Sequence, residues 1–207
     1  MAKIDTSGWR EFRIGDLFEI EPTKGVNTYG ICDDGDVPYI AASRENNGCS
    51  RHVSCPDEWV SRGNCLVFIH IGDAAAGVCH YVNADFVGMK GKTSCAYNDH
   101  INEAIGLFLA SVITANNASR YSFSQSWTGK SLLDTEILLP ATPSGDPDWD
   151  YMDEYMSGVM EEAKASLENM GKVEKELHSA DISGWKRFTI GSLFEIEKGT
   201  RLTRAAT

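Results

Sequence analysis

Through the first 146 residues the apolar positions fall in short runs bounded by Gly, Asn, Asp and Pro, a pattern that predicts strands joined by tight turns. The runs are VPYIAAS (37–43), NCLVFIHI (64–71), GVCHYVNADF (77–86) and SLLDTEILLP (131–140), with Phe12, Ile14, Leu17, Phe18 and Ile20 opening the core. Gly72 to Gly77 reads as a turn between two of these strands, flanked by His70 and His80, which read as hydrogen-bonded structural residues. One helix interrupts the strands. Residues 101–117 place Ile101, Ile105, Leu107, Phe108, Val112 and Ile113 near a 3.6-residue period, with Asn98 or Asp99 as the cap.

After residue 146 the period changes. Trp149, Met152, Met156, Val159, Ala163, Leu167, Met170, Val173 and Leu177 are spaced three and four apart, which predicts one helix over 147–179. Asp146 can cap it, with Pro147 at the first position. Such a helix is about 50 Å long at 1.5 Å per residue. A seam of this spacing suits a coiled coil; the alternative is a single amphipathic helix lying across its own domain, and Gly171 is a place for a local break.

A repeat then divides the chain. Residues 7–21 read SGWREFRIGDLFEIE and residues 183–197 read SGWKRFTIGSLFEIE, with eleven of fifteen positions identical. The copies lie 176 residues apart, too far for a solenoid period of about 20–50 residues. The reading is an α+β protein: a β-rich domain over 1–146, a long spacer or dimerisation helix over 147–180, and the opening of a second unit over 181–207.

Charge refines this picture. The net charge is −11, unlike a non-specific nucleic-acid coat protein, and residues 147–180 carry 3 Lys/Arg against 9 Asp/Glu. A DNA reader with its basic groups on one face remains open. The six cysteines form no C-x-x-C pair. Cys49-x-x-His52-x-x-Cys55 supplies three metal ligands without a fourth, so no metal or other cofactor is expected. No apolar run approaches the roughly 20 residues of a membrane span and the N-terminus shows no secretory h-region, so the expected location is the cytoplasm.

The combined order of features resembles a known family. The residues that carry the resemblance are Trp9, Phe12, Ile14, Gly15, Leu17 and Phe18, then PYIAAS, GNCLVFIHIG (63–72), RYSFSQSWTGKSL (120–132) and ILLPATPSGDPDWDYMDEYM (137–156), followed by the restart at 183. This pattern resembles the DNA-specificity (S) subunit of type I restriction-modification systems, and it covers nearly the whole chain. The resemblance implies a target-recognition domain followed by a coiled-coil helix. It further implies sequence-specific recognition of one half of a split double-stranded DNA target, methyltransferase and restriction subunits as partners, and no catalysis. Only the opening of the family's second domain is present, as in a half-subunit or a truncated form. The family's methyl transfer needs an Asn/Asp-Pro-Pro-Tyr/Phe motif, and this chain has no Pro-Pro. Gly91-Lys92-Thr93 ends like a phosphate-binding loop, but Phe86 stands where the first glycine belongs. Pro147-Asp148 and Glu162-Ala163-Lys164 mimic a nuclease motif, yet Glu162 and Lys164 point about 200° apart on a helix.

The strongest candidate for DNA contact is 120–130, which has two cations, three aromatics and no carboxylate; Arg120, Ser122, Ser124, Gln125 and Lys130 are its binding residues. Tyr121, Phe123 and Trp127 suit the core below them. The loop after a buried strand offers Arg44, Asn46 and Asn47 as base readers, with a plain turn as the alternative. Lys90, Lys92 and Thr93 form a compact basic turn suited either to phosphate or to solvent, and Lys24, Asn27 and Tyr29 are a weaker group. The apolar seam lacks a partner within one unit, so a homodimer through residues 147–179 is expected, antiparallel because acid at its start then meets base at its end. The rival function is a protein-interaction module that acts through the helix and does not bind DNA.

Overall fold

The computed structural model describes residues 4–25, 31–72, 75–117, 120–122, 124–172 and 183–195. The chain forms two compact units, Met1–Leu167 and Glu168–Thr207. The first begins with β1 (Trp9–Arg13), α1 (Ile14–Leu17) and β2 (Glu19–Pro22), then β3 (Cys32–Ile40) and β4 (Cys49–Ser54). Next come β5 (Cys65–Ile69), β6 (Cys79–Val82), β7 (Val87–Gly88) and β8 (Thr93–Tyr97), followed by α2 (Glu103–Asn117), α3 (Gly129–Leu133), β9 (Glu136–Pro140) and α4 (Trp149–Lys172).

The centre is an antiparallel sheet in the order β2-β8-β5-β6. Strand β5 is a continuous apolar run because both of its faces are covered. Leu66 and Phe68 face a core built with Ile105, Phe108, Leu109 and Ile113 of α2. Cys65 and Val67 face Ile40, Phe86 and Cys95 on the other side. A second sheet, β4-β3-β7, has β7 parallel to β3. The opening and closing strands of the domain, β1 and β9, pair antiparallel from Trp9 opposite Pro140 to Arg13 opposite Glu136.

Strand β6 is the sheet's edge, and side chains satisfy its outward backbone groups. The Thr114 hydroxyl accepts from the Cys79 N–H at 2.9 Å and donates to the Cys79 carbonyl at 3.0 Å. The Asn47 amide donates to the Tyr81 carbonyl at 2.6 Å. Helix α2 lies against β6 so closely that a Cβ on Gly106 would stand 2.1 Å from the Tyr81 ring.

Three local expectations are corrected. Helix α2 is capped by Asn102, whose Oδ1 accepts from the Ile105 N–H, because Asn98 instead holds a turn through His100 and bonds the Leu17 carbonyl. The run 131–140 is not one strand: a Thr128–Ser131 capping box starts α3, and extended structure resumes at Glu136. Helix α4 is capped by Asp148, which accepts from the Tyr151 N–H, while Asp146 closes the turn from Thr142.

Helix α4 starts covered and ends bare. Met152 is fully buried, Trp149 stacks on His100 at 4.9 Å, and Tyr155 meets Phe108 edge-on. From Glu161 to Met170 every residue is exposed, Leu167 at 68% and Met170 at 69%. Lying across the domain thus describes the first half of the helix only, and the compact unit extends past residue 146 for that reason. Val173, Leu177 and the boundary at 180 lie outside the described residues. Among the described residues no helix is long and apolar enough to cross a membrane.

In the second unit the repeat rebuilds the local conformation of the first. Its helix α5 (Ile190–Leu193) ends with the Phe194 N–H donating to the Ile190 carbonyl at 2.9 Å, as Phe18 does to Ile14 at 3.1 Å. The four positions that differ between the copies are Arg10, Glu11, Arg13 and Asp16 in the first, and all four are exposed. The identical residues include the buried Ile14 and Phe18. Identity between the copies therefore follows the burial seen in the first.

The contact between α2 and the sheet gives a direct test. Gly106→Ala forces Tyr81 or the helix to move and is expected to destabilise the domain by about 1–3 kcal/mol. Urea unfolding measures this; unchanged stability would contradict the close approach.

Candidate nucleic-acid interface

Two of the candidate DNA-contact segments meet at the C-terminal end of β5. His70 follows that strand, and its two backbone groups reach in different directions. Its N–H donates to the Lys92 carbonyl and its carbonyl accepts from the Trp127 N–H, both at 2.9 Å. The turn after β7 and the segment after α2 are thereby fastened to one residue. The Met89 N–H donates to the Ile40 carbonyl at 3.1 Å, which brings in the end of β3. Gly72, with φ +154, passes close to Ala42, just before the loop at 43–48.

The segment 120–130 divides by polarity. Trp127 is fully buried, edge-on to Phe68 at 5.1 Å and stacked on the half-buried Tyr121 at 5.4 Å. Its indole N–H donates to the Thr135 hydroxyl at 2.8 Å, and that hydroxyl donates to the Ser131 carbonyl at 2.7 Å. Phe123 lies outside the described residues. Over this anchor, Ser122 and Gln125 exchange backbone bonds to form a small turn, and the Ser122 and Ser124 hydroxyls stand 3.0 Å apart. Arg120, Ser122, Ser124, Gln125 and Lys130 are all exposed. Lys130 is 4.0 Å from Asp134, which also pairs with Arg13.

In the loop at 43–48, Arg44, Asn46 and Asn47 are exposed. Asn46 and Asn47 adopt left-handed backbone conformations, with φ of 48° and 52°. Their amide groups hold the loop: Asn46 donates to the Cys49 carbonyl at 2.8 Å and Asn47 to that of Tyr81. Each keeps its side-chain carbonyl oxygen and one amide hydrogen for a base, with the amide's orientation fixed by the bond it already makes.

Lys90 and Lys92 are exposed on the turn closed by the Lys92 N–H on the Met89 carbonyl. Thr93 is removed from the contact set. It is 1% exposed, at the start of β8, and its hydroxyl lies 2.7 Å from that of Thr23. Lys24 is exposed; Asn27 and Tyr29 lie outside the described residues.

Burial disfavours the charged form of two histidines beneath these loops. Burial pushes His70 down to about 4, and its Nε2 has no hydrogen-bond partner. Burial also lowers His80, whose Nε2 is 2.8 Å from the Ser43 carbonyl. Their position beside the Gly72–Gly77 turn was visible in the sequence; their part in fastening the recognition loops was not.

Neither metal nor nuclease chemistry assembles among the described residues. Cys49 and Cys55 are separated by the length of β4, about 20 Å, with His52 on the opposite face. No group of three His, Cys, Asp or Glu side chains is placed to hold a metal. Asp148 caps α4, and Glu162 lies about 20 Å further along its axis.

Similarity to known proteins agrees with this geometry. The chain is 26% identical over 196 residues to the type II restriction enzyme BgcI specificity subunit S.BcgI of Heyndrickxia coagulans. That match covers 94% of this chain and 56% of the relative, so the chain spans about half the length of the curated relative it matches. The fold is similar to the type I restriction-modification S subunit from M. genitalium, with a TM-score of 0.51 and 14% identity over 80% of this chain and 43% of that one. It is also similar to the HsdS subunit from Thermoanaerobacter tengcongensis, with a TM-score of 0.51 and 15% identity over 79% and 40% of the two chains. Residues 6–169 match the model of the type I restriction modification DNA specificity domain, and the chain belongs to that family.

Proposed function

We propose that this protein reads one half of a split double-stranded DNA target and brings methyltransferase and restriction subunits to it, performing no catalysis itself. The observation that carries this reading is that two polar, cation-bearing segments are fastened to His70 and a third, at 43–48, to the neighbouring strand β6, in a chain of net charge −11. Arg120, Lys130, Lys90 and Lys92 suit phosphates, which fix register; Gln125, Arg44 and Asn46 suit base edges, which carry sequence. A module that bound only protein through its helix would have no use for this cluster at the far end of the sheet. The same reading places the protein in the cytoplasm, with its DNA.

The exposed second half of α4 supports a homodimer through residues 147–179. Leu167 and Met170 are bare. Trp149, Met152 and Met156 of the seam already pack on their own domain, so association draws on the bare apolar residues beyond them, each contributing about 1–2 kcal/mol on partial burial. Asp148, Asp150 and Asp153 begin the helix, Lys172 is its last described residue, and Lys175 and His178 follow in the sequence. An antiparallel pair sets acid against base, and it sends the two reading domains to opposite ends.

Two measurements test this reading. Random duplex should lose affinity as salt rises, and replacing both Arg120 and Lys130 with Ala should reduce the log–log salt slope by about 2. A titration with no salt dependence, or a double variant with the wild-type slope, would overturn the assignment. Light scattering should give about twice the 22.7 kDa chain mass, and Leu167→Asp should return the protein to monomer. A monomeric wild type would refute the dimer.

A further inference from the structure

The loop at 43–48 carries a left-handed backbone stretch. Asn46, Asn47 and Gly48 follow one another at φ of 48°, 52° and 78°, a conformation that Asn and Gly tolerate better than other residues. Within the loop, the Ser43 hydroxyl accepts from the Glu45 N–H and Asn46 bonds the Cys49 carbonyl. The Ala41 N–H donates to the Gly48 carbonyl at 2.9 Å, closing the β3–β4 hairpin across the loop, and side-chain restraint is added from β6. At the start of the loop, His80 Nε2 is 2.8 Å from the Ser43 carbonyl. A carbonyl oxygen only accepts, so this nitrogen carries the proton and the ring donates. Near the loop's end, Asn47 donates to the carbonyl of Tyr81, the next residue along β6. The ring also packs beneath Gly48, where a Cβ would stand 2.9 Å from His80 Cδ2. Two adjacent residues of a sheet strand thus hold both ends of an exposed loop, and His80 itself is 6% exposed.

We infer that His80 is a positioning residue for base recognition: with Asn47 it holds the 43–48 loop to β6 in the one geometry that presents Arg44 and Asn46 to the DNA bases. This rests on the DNA-reading function proposed above. Base readout needs placement within about 0.5 Å, which loops achieve only when a supporting layer fixes them. Phosphate contacts by flexible lysines tolerate more movement and carry no sequence information. Loosening the loop should therefore erode sequence preference and leave the electrostatic part of binding alone.

The test uses the full chain and a pool of randomised duplexes, with bound molecules sequenced after selection. Salt titrations on unselected duplex and thermal unfolding accompany it for each variant. The wild type should enrich a motif. His80→Phe fills the ring's volume without the donor and should lose roughly tenfold in preference over part of that motif. Its salt slope and its affinity for unselected duplex should stay at wild-type values. His80→Gln returns an amide N–H near the position of Nε2 and should restore most of the preference. A His80→Phe variant that enriches the wild-type motif to the same degree would overturn the inference. So would equal losses on selected and unselected duplex that Gln fails to rescue, since they indicate a merely structural role. If His80→Phe does not fold, Asn47→Gly removes the other anchor at a backbone angle that glycine accepts; wild-type enrichment by that variant would be equally contrary. A wild type that enriches nothing refutes the DNA-reading function itself, whereas a wild-type motif copied by His80→Phe refutes only the role of His80.

Discussion

All five residues of β5 are at 0% exposure, and the rest of the domain depends on that burial. A strand covered on both faces cannot slip by one residue without exchanging its two apolar sets, so its register is fixed. Leu66 and Phe68 are committed to the α2 side, and Cys65 and Val67 to the other. The residue that follows inherits this rigidity. His70 sits at the end of a strand that cannot move, and its backbone fastens the Lys92 turn and the Trp127 segment. Polar recognition loops can be long, exposed and rich in unfavourable backbone angles because the element beneath them is so strongly held.

The molecule treats its recognition segments alike. Each consists of an exposed polar stretch over a buried anchor whose hydrogen-bonding groups are satisfied. Trp127 with Thr135 anchors 120–130, His80 anchors 43–48, and Thr93 with Thr23 lies under the Lys90–Lys92 turn. This arrangement separates sequence variation from stability: exposed side chains can change without disturbing the core. The repeat shows the same separation by another route. Its two copies differ only at positions exposed in the first copy, while the apolar residues and the backbone turn of Ile14–Phe18 recur at Ile190–Phe194.

Much of the fold was legible in the sequence. The β5 run, the turn at Gly72–Gly77 and α2 carry strong local signals, and the change of period at residue 149 announces α4. What escaped was decided by tertiary contacts. The strand β4, CSRHVS, and the strand β8, TSCAY, contain few apolar residues, and burial of Thr93 and Ser94 follows from their neighbours rather than their type. The run 131–140 has apolar residues on both sides of Asp134–Glu136, and the Thr128–Ser131 capping box marks its first part as helix. The candidate site was legible as a set of polar segments, but its assembly was not. No local pattern indicates that His70 joins two of them, or that Asn46 and Asn47 turn their amide groups inward.

On the proposed function, DNA meets the end of the sheet where β5 reaches His70. A photoreactive side chain placed in the full chain at Lys92, at Gln125 or at Asn83, and irradiated with duplex DNA at low salt, tests it most directly. Lys92 and Gln125 lie in the turn and the segment fastened to His70, whereas Asn83 pairs with Asn64 at the start of β5, the opposite end. Crosslinks are expected from positions 92 and 125 and should fade as salt rises, with none above background from 83. Efficient crosslinking from 83 with silence at 92 and 125 would contradict it.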